Sequence, residues 1–210
     1  MAGAFPPTLG LILAGGLARR MGGGDKARIR VGGATILERV LARLKPHCRA
    51  LIINANGDRA RFADTGLVVV ADSVADFVGP LAGILAGLDW AAVNAPDCQW
   101  VVSAPGDCPF LPKDLVPRLH QARRAANVTL ACARSGEQSH PVVGLWPLSL
   151  REDLRRALAV EGLRKLDIWT ARHGIATAEW PDTPVDPFFN VNTPADAARA
   201  EAIAKQYPQA

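Results

Sequence analysis

The sequence predicts an α/β fold, a single domain in which helices cover both faces of a mostly parallel sheet to make a three-layer αβα sandwich. Two patterns carry this. Short apolar runs at residues 9–14, 50–53, 67–70 and 100–103 are separated by helical stretches at 36–44 and 81–93, which is strand-helix-strand order. The runs are also apolar throughout and do not alternate with polar residues, as expected of strands buried on both faces. A chain of 210 residues with 49% hydrophobic content can enclose one sizeable core, and no internal repeat, low-complexity tract or linker divides it.

Taken in order, the first run supplies a strand ending near Leu13. In the stretch that follows, Ile36, Leu37, Val40, Leu41 and Leu44 fall on one helical stripe while Glu38, Arg39 and Arg43 fall off it, so this helix packs on the sheet. Further helices are expected to begin near Pro112, at Ser149 and at Pro194. Ser149 with Glu152, and Thr193 with Pro194 and Asp196, carry the residue types that cap helix N-termini. Residues 136–141 and 181–187 read as loops, expected at functional edges.

Composition narrows the function. Lys and Arg exceed Asp and Glu by 24 to 20, but the surplus is scattered through helical stretches and not gathered in one long basic run with interleaved aromatics; an anionic small substrate explains it as well as nucleic acid does, and no nucleic-acid partner is expected. The cysteines Cys48, Cys98, Cys108 and Cys132 are too widely spaced for a zinc knuckle or a redox pair, and reduced thiols in the cytoplasm are the expectation. No apolar run approaches the roughly 20 residues of a membrane span, and no targeting or membrane segment is expected.

The most informative stretch follows the first strand: Leu13, Ala14, Gly15, Gly16, then Arg19, Arg20, three glycines at 22–24, Asp25 and Lys26. Glycines let the backbone approach a phosphate and aim N–H groups at it, and the three cations bring positive charge to the same strand end. An anion is the expected occupant. Asp25 before Lys26 and Ala27 after it exclude a Walker A loop, and the G-x-G-x-x-G spacing of a dinucleotide site is missing.

This L-A-G-G-x-x-R-R-M-G-G-x-D-K pattern resembles that of the molybdenum cofactor guanylyltransferases, a nucleotidyltransferase family. Asn54-Ala55-Asn56, Asp72-Ser73, Gly79-Pro80-Leu81-Ala82-Gly83, Asp107-Cys108-Pro109-Phe110, His140-Pro141 and Asn190-Val191-Asn192-Thr193-Pro194 extend the likeness over roughly residues 9 to 200. It implies a Rossmann-like fold and transfer of GMP from GTP to the phosphate of molybdenum-molybdopterin, with release of pyrophosphate. A nucleotide-binding half at about 8–111 and a pterin-side half at about 112–205 are expected.

Within that frame, Asp107 follows a buried run and is expected to hold Mg²⁺, which takes few carboxylates together with phosphate oxygens. Arg19 and Lys26 are expected to neutralise charge during transfer, and Leu13, Ala14, Gly15, Gly16 and Lys26 to cradle the triphosphate. Asp72 and Asn54 are the expected base or ribose readers, since guanine offers N1–H and N2–H donors; Asn54 can equally bond backbone. By resemblance, Asn190 and Asn192 are neutral ligands to metal or phosphate, or else turn formers. His140 with the cationic pair Arg164 and Lys165 marks the pterin side; relatives often carry two arginines there, so Lys165 departs mildly from the pattern. Other cofactor-biosynthesis proteins and molybdoenzyme chaperones are the expected transient partners. Two rival readings are a cytidylyltransferase acting on the same cofactor and a non-catalytic nucleotide-binding protein.

Overall fold

The computed structural model describes residues 5–15, 26–74 and 79–210. Gly16, Arg19 and Arg20, with the rest of the loop through Asp25, lie outside the described residues. In chain order the elements are β1 (Thr8–Leu13), the short hairpin strands β2 (Arg30–Val31) and β3 (Ala34–Thr35), α1 (Ile36–Leu44), β4 (Ala50–Asn54), β5 (Val68–Val70), α2 (Pro80–Asn94) and β6 (Trp100–Pro105). They continue with α3 (Leu115–Ala125), β7 (Leu130–Ser135), β8 (Gln138–Pro147), α4 (Arg151–Ala159), α5 (Leu166–Ala171), β9 (Ile175–Trp180) and α6 (Pro194–Gln206).

Among the described residues the central sheet has seven strands in the order β5-β4-β1-β6-β8-β7-β9, and of these only β8 runs against the rest. The expected sandwich is therefore present. Successive strand residues feed opposite faces: Leu11, Ile52 and Val101 pack with α2, α4 and α5, while Ile12, Ile53 and Val102 pack with α1, α3 and α6. Burial on both faces is why these strands are apolar without alternation.

Local chemistry explains the helix ends. Thr35 caps α1 by accepting from Glu38 N–H while the Glu38 carboxylate returns to Thr35 N–H at 2.6 Å, a reciprocal capping box. The same device opens α6, where Thr193 accepts from Asp196 N–H and Asp196 Oδ2 accepts from Thr193 N–H at 2.8 Å. The expected cap at Ser149 does not form. Ser149 lies in a short 3-10 turn, α4 starts at Arg151 after an uncapped Leu150, and Glu152 pairs with Arg151 and Arg155 in place of reaching back. Likewise α3 begins at Leu115, a few residues beyond Pro112.

Residues 136–141, expected as a loop, are instead the tight turn and first residues of the β7–β8 hairpin, with Gly136 at φ +53. Proline normally removes a strand hydrogen bond, but Pro141 sits where the ladder is already broken. His140 pairs with Ala133 and Gly144 pairs with Cys132, so the intervening residues bulge away from β7. The second expected loop, 181–187, is irregular.

Candidate functional site

Strand register brings one edge of the sheet together. Leu13 lies opposite Asn54 on one side and Pro105 on the other, and Asn54 lies opposite Val70. Hydrogen bonds from Ala14 N–H to Asn54 O at 2.9 Å and from Gly106 N–H to Leu13 O at 3.0 Å carry the ladder one residue further. The segments leading to Gly15, Asp72 and Asp107 thus leave the sheet along one line, at the carboxyl ends where open α/β sheets bind ligands. Because β8 is antiparallel, its bulged beginning comes to that same edge.

Two crevices open there. One, of about 330 Å³, is lined by Leu13, Gly15, Asn54, Asn56, Asp72 and the start of α2 at Gly79 and Pro80. The other, of about 340 Å³, is lined by Cys108, His140, Pro141, Phe188, Asn190 and Asn192. Pro105, Asp107 and Val142 belong to both linings. Asp107 therefore stands in the wall between the two spaces.

In the first crevice the Asp72 carboxylate is held by two carboxamides. Asn54 Nδ2 donates to Oδ1 at 2.9 Å and Asn56 Nδ2 donates to Oδ2 at 2.8 Å, while Asp72 N–H donates to Asn56 Oδ1 at 3.0 Å. Each carboxylate oxygen keeps capacity for another donor. Asn54 also donates to Val70 O at 3.3 Å, so in the free chain it fixes Asp72 and the neighbouring strand end. Gly83 of α2 lets the helix pass over Asn54: a Cβ at that position would stand 2.4 Å from Asn54 Oδ1. At the start of α2 Gly79 adopts φ +145 ahead of Pro80 and makes no side-chain cap, and the first N–H groups of a helix are suited to an anion.

At the shared wall, Lys26 Nζ donates to Asn192 Oδ1 at 2.6 Å and lies 3.7 Å from Asp107 Oδ2, with side-chain exposures of 19% for the lysine and 24% for the aspartate. Burial raises the Asp107 carboxyl above its ordinary range, and the Lys26 charge pulls the other way. Val191 N–H donates to Asp107 O at 3.0 Å, and the Cys108 thiol donates to Asn190 Oδ1 at 2.9 Å. The 190–192 segment is thereby fastened to the 107–108 segment. Burial holds the Cys108 thiol well above its usual pKa, so it remains a donor.

His140 shares a hydrogen bond of 2.7 Å between Nε2 and Ser135 Oγ, and its ring lies 4.7 Å from that of Phe188. Desolvation lowers its pKa while Asp186 opposes the change. The shift favours the neutral imidazole. Arg164 and Lys165 are in the lining of neither crevice; they precede α5, on the face shared with α2 and α4.

Among the described residues no three His, Cys, Asp or Glu side chains cluster to hold a metal on their own. The oxygens of Asp107 and Asn192 do converge on one cation, the Lys26 ammonium. That donor set suits a hard divalent ion that draws its remaining ligands from phosphate and water.

Several residues here were given no site role from the sequence. Asn56 stands in the same Asn-Ala-Asn tripeptide as Asn54, and its spacing was the available signal. Ser135, Val142 and Cys108 enter through the bulge and the fastening of distant segments, which no local pattern announces. Arg61, whose Nη2 donates to Ala14 O at 2.9 Å, was one cation among many until the fold brought it to the end of β1.

This frame, with paired crevices at the carboxyl ends of its strands, is that of a ligand-binding α/β domain, and comparison with known proteins identifies it as a nucleotidyltransferase. Residues 10–174 match the MobA-like NTP transferase domain. A molybdenum cofactor guanylyltransferase of Nitrobacter hamburgensis is 63% identical over 200 residues, covering 95% of this chain and 96% of the relative. The crystal structure of molybdopterin-guanine dinucleotide biosynthesis protein A from Archaeoglobus fulgidus superposes with a TM-score of 0.71 at 23% identity, over 94% of this chain and 99% of that one. CMP:2-keto-3-deoxy-manno-octonic acid synthetase complexed with CTP shares the fold, with a TM-score of 0.73 at 14% identity over 95% of this chain and 99% of that one. The chain belongs to the molybdenum cofactor guanylyltransferase family of MobA-like nucleotidyltransferases.

Proposed function

We propose that the chain transfers GMP from GTP to the phosphate of molybdenum-molybdopterin, releasing pyrophosphate. The observation that carries this reading is the shared lining: a direct transfer needs two bound reactants to meet beside a charge-stabilising group, and Asp107 lines both crevices. The family names of the close relatives support the substrates.

On this reading the first crevice takes the nucleotide, in the half formed by about residues 8–111, with Asp72 accepting from base or ribose donors. The second, walled partly by 139–143 and 188–192, takes the pterin phosphate. Asp107 and Asn192 would hold Mg²⁺, which supplies charge neutralisation at the α-phosphate and the leaving pyrophosphate. Lys26 and the α2 N-terminus would add positive potential, and Arg19, Gly15 and Gly16 are the remaining residues assigned to the triphosphate. No protein nucleophile is required, because the attacking phosphate oxygen is already ionised near pH 7; the protein positions the reactants and stabilises charge. Neutral His140 offers the acceptor a hydrogen-bonding ring without adding charge. Arg164 and Lys165 meet the pterin only if its far end reaches beyond the described crevice. A cytoplasmic location accords with the free cysteines, and no described helix is long and apolar enough to cross a membrane.

The test is thermal unfolding with Mg²⁺ and each nucleoside triphosphate, followed by pyrophosphate release on addition of molybdopterin. GTP at one hundred times its Kd should stabilise the chain by about 2.7 kcal/mol, roughly 5 to 10 °C. A shift with CTP alone would move the protein to cytidylyl transfer. Binding without pyrophosphate release would identify a nucleotide-binding protein that does not catalyse. Asp107→Ala should fold and lose turnover; a folded variant with near-normal activity would remove the aspartate from the mechanism.

A further inference from the structure

Lys26 is reached directly after the Gly-rich loop, and its backbone is anchored on the other side: Ile29 N–H donates to Lys26 O at 3.1 Å and Ala27 is buried in the core. The ammonium is directed at two oxygens that the fold holds independently of it. Asn192 is fixed through its N–H, which donates to Asp196 Oδ2 at 3.0 Å as part of the α6 cap. Asp107 is fixed through its carbonyl, which accepts from Val191 N–H at 3.0 Å. One anionic oxygen, partly shielded from water, and one neutral oxygen on an exposed side chain, both on anchored backbones, thus share a single monovalent cation at 3.7 and 2.6 Å.

We propose that the Lys26 ammonium is a built-in stand-in for the divalent cation. In the nucleotide-free protein it satisfies Asp107 and Asn192 and keeps a metal ion off them; an arriving triphosphate draws the ammonium to its own oxygens and leaves the pair to the metal. This rests on the nucleotide-transfer reading and goes beyond it, because it makes metal and nucleotide binding interdependent. Two like charges cannot share that space without a large repulsion, so metal alone must compete with a covalently tethered cation. Lysine suits the exchange: a compact ammonium on a flexible stem can move between ligands, whereas a guanidinium would be committed to a fixed planar geometry. Linkage then requires that the factor by which GTP tightens metal binding equals the factor by which the metal tightens GTP binding. The arrangement also protects the free protein from holding a metal ion without its substrate.

The experiment is a titration of the full chain with Mn²⁺ alone, read by electron paramagnetic resonance of free Mn²⁺, on wild type, Lys26→Met and Lys26→Gln. Folding of each variant is checked by circular dichroism, and the second substitution serves if the first fails to fold. Both variants should bind Mn²⁺ about tenfold or more tightly than wild type, and the gain should vanish when Asp107→Asn is added. Equal Mn²⁺ affinity in wild type and both variants overturns the proposal, as does a gain that survives Asp107→Asn. The thermal shift of wild type with GTP is measured in parallel. A GTP shift with equal Mn²⁺ affinities sinks the stand-in role and leaves the nucleotide-transfer reading intact, whereas no shift with any triphosphate removes that reading itself.

Discussion

Replacing Gly83 with alanine should damage the nucleotide crevice from beneath. An added Cβ would lie 2.4 Å from Asn54 Oδ1 and 2.8 Å from Leu13 Cδ2, both inside van der Waals contact, so the Asn54 carboxamide must turn or α2 must lift. Overpacking of this kind costs about 1 to 3 kcal/mol. Turning Asn54 also breaks its 2.9 Å hydrogen bond to Asp72, which adds about 1 to 3 kcal/mol where a partner is left unsatisfied. Against these, alanine gains about 1 kcal/mol over glycine in a helix interior. The balance is a loss near 3 kcal/mol, or a fall in Tm of about 6 to 12 °C. Gly87 is the control one turn on: its Cβ would meet Leu11 Cδ2 at 2.6 Å, in the apolar core and away from the crevice. Gly87→Ala should therefore lose about 0 to 2 kcal/mol and keep its response to GTP. Gly83→Ala should weaken GTP binding about tenfold, the equivalent of one hydrogen bond to a charged group. The assay is thermal unfolding of both variants with and without Mg²⁺ and GTP. A Gly83→Ala protein that melts at or above wild type, or whose GTP response matches that of Gly87→Ala, would refute the argument that this glycine makes room for Asn54.

Other consequences can be checked with simple variants. Burial raises the Asp107 pKa, so the folded chain binds a proton there more readily than the unfolded chain and stability falls as pH rises through the folded value; Asp107→Asn should therefore melt higher than wild type at pH 7 to 8, with the gap closing below about pH 4, while turnover is lost. The same sign means that wild-type metal binding weakens on acidification at a pH above the ordinary aspartate range, readable by Mn²⁺ titration against pH. Thr193→Ala removes a cap seen at both ends of its reciprocal bond and should cost about 1 kcal/mol, whereas Ser149→Ala, at a cap that does not form, should stay within about 0.5 kcal/mol of wild type. Asp196→Ala should lose more nucleotide response than Thr193→Ala for the same drop in Tm, because Asp196 also holds Asn192 N–H.

Much of the frame was legible because its causes are local. Residues 36–44 carry their own stripe, and the unbroken apolar runs in β1, β4 and β6 report burial on two faces, so helix, strand and layer order follow from side-chain period alone. The α6 start was legible for the same reason, since Thr193 and Asp196 satisfy each other within one turn. The hairpin turn and strand start at 136–141 were not: glycine, serine and proline there read as a loop, and only the pairing of β8 with β6 and β7 makes them part of a strand with a bulge. The Ser149 cap misled because Glu152 found arginines close by that no local rule could rank.

The sequence by itself determined the class of the molecule: a mostly parallel α/β frame, with a Gly-rich stretch directly after the first strand and acids and amides after later strands. Tertiary structure alone decided how those residues divide the work. Register along one sheet edge set Asp107 in the wall of both crevices, placed Asp72 between two carboxamides, turned Lys26 onto Asp107 and Asn192, and left Arg164 and Lys165 outside the described crevices. The physical reason is distance along the chain. Lys26 and Asn192 are 166 residues apart, and a contact of that span is fixed by strand order and the fastening of loops, which depend on the whole core and not on any stretch of sequence near either residue.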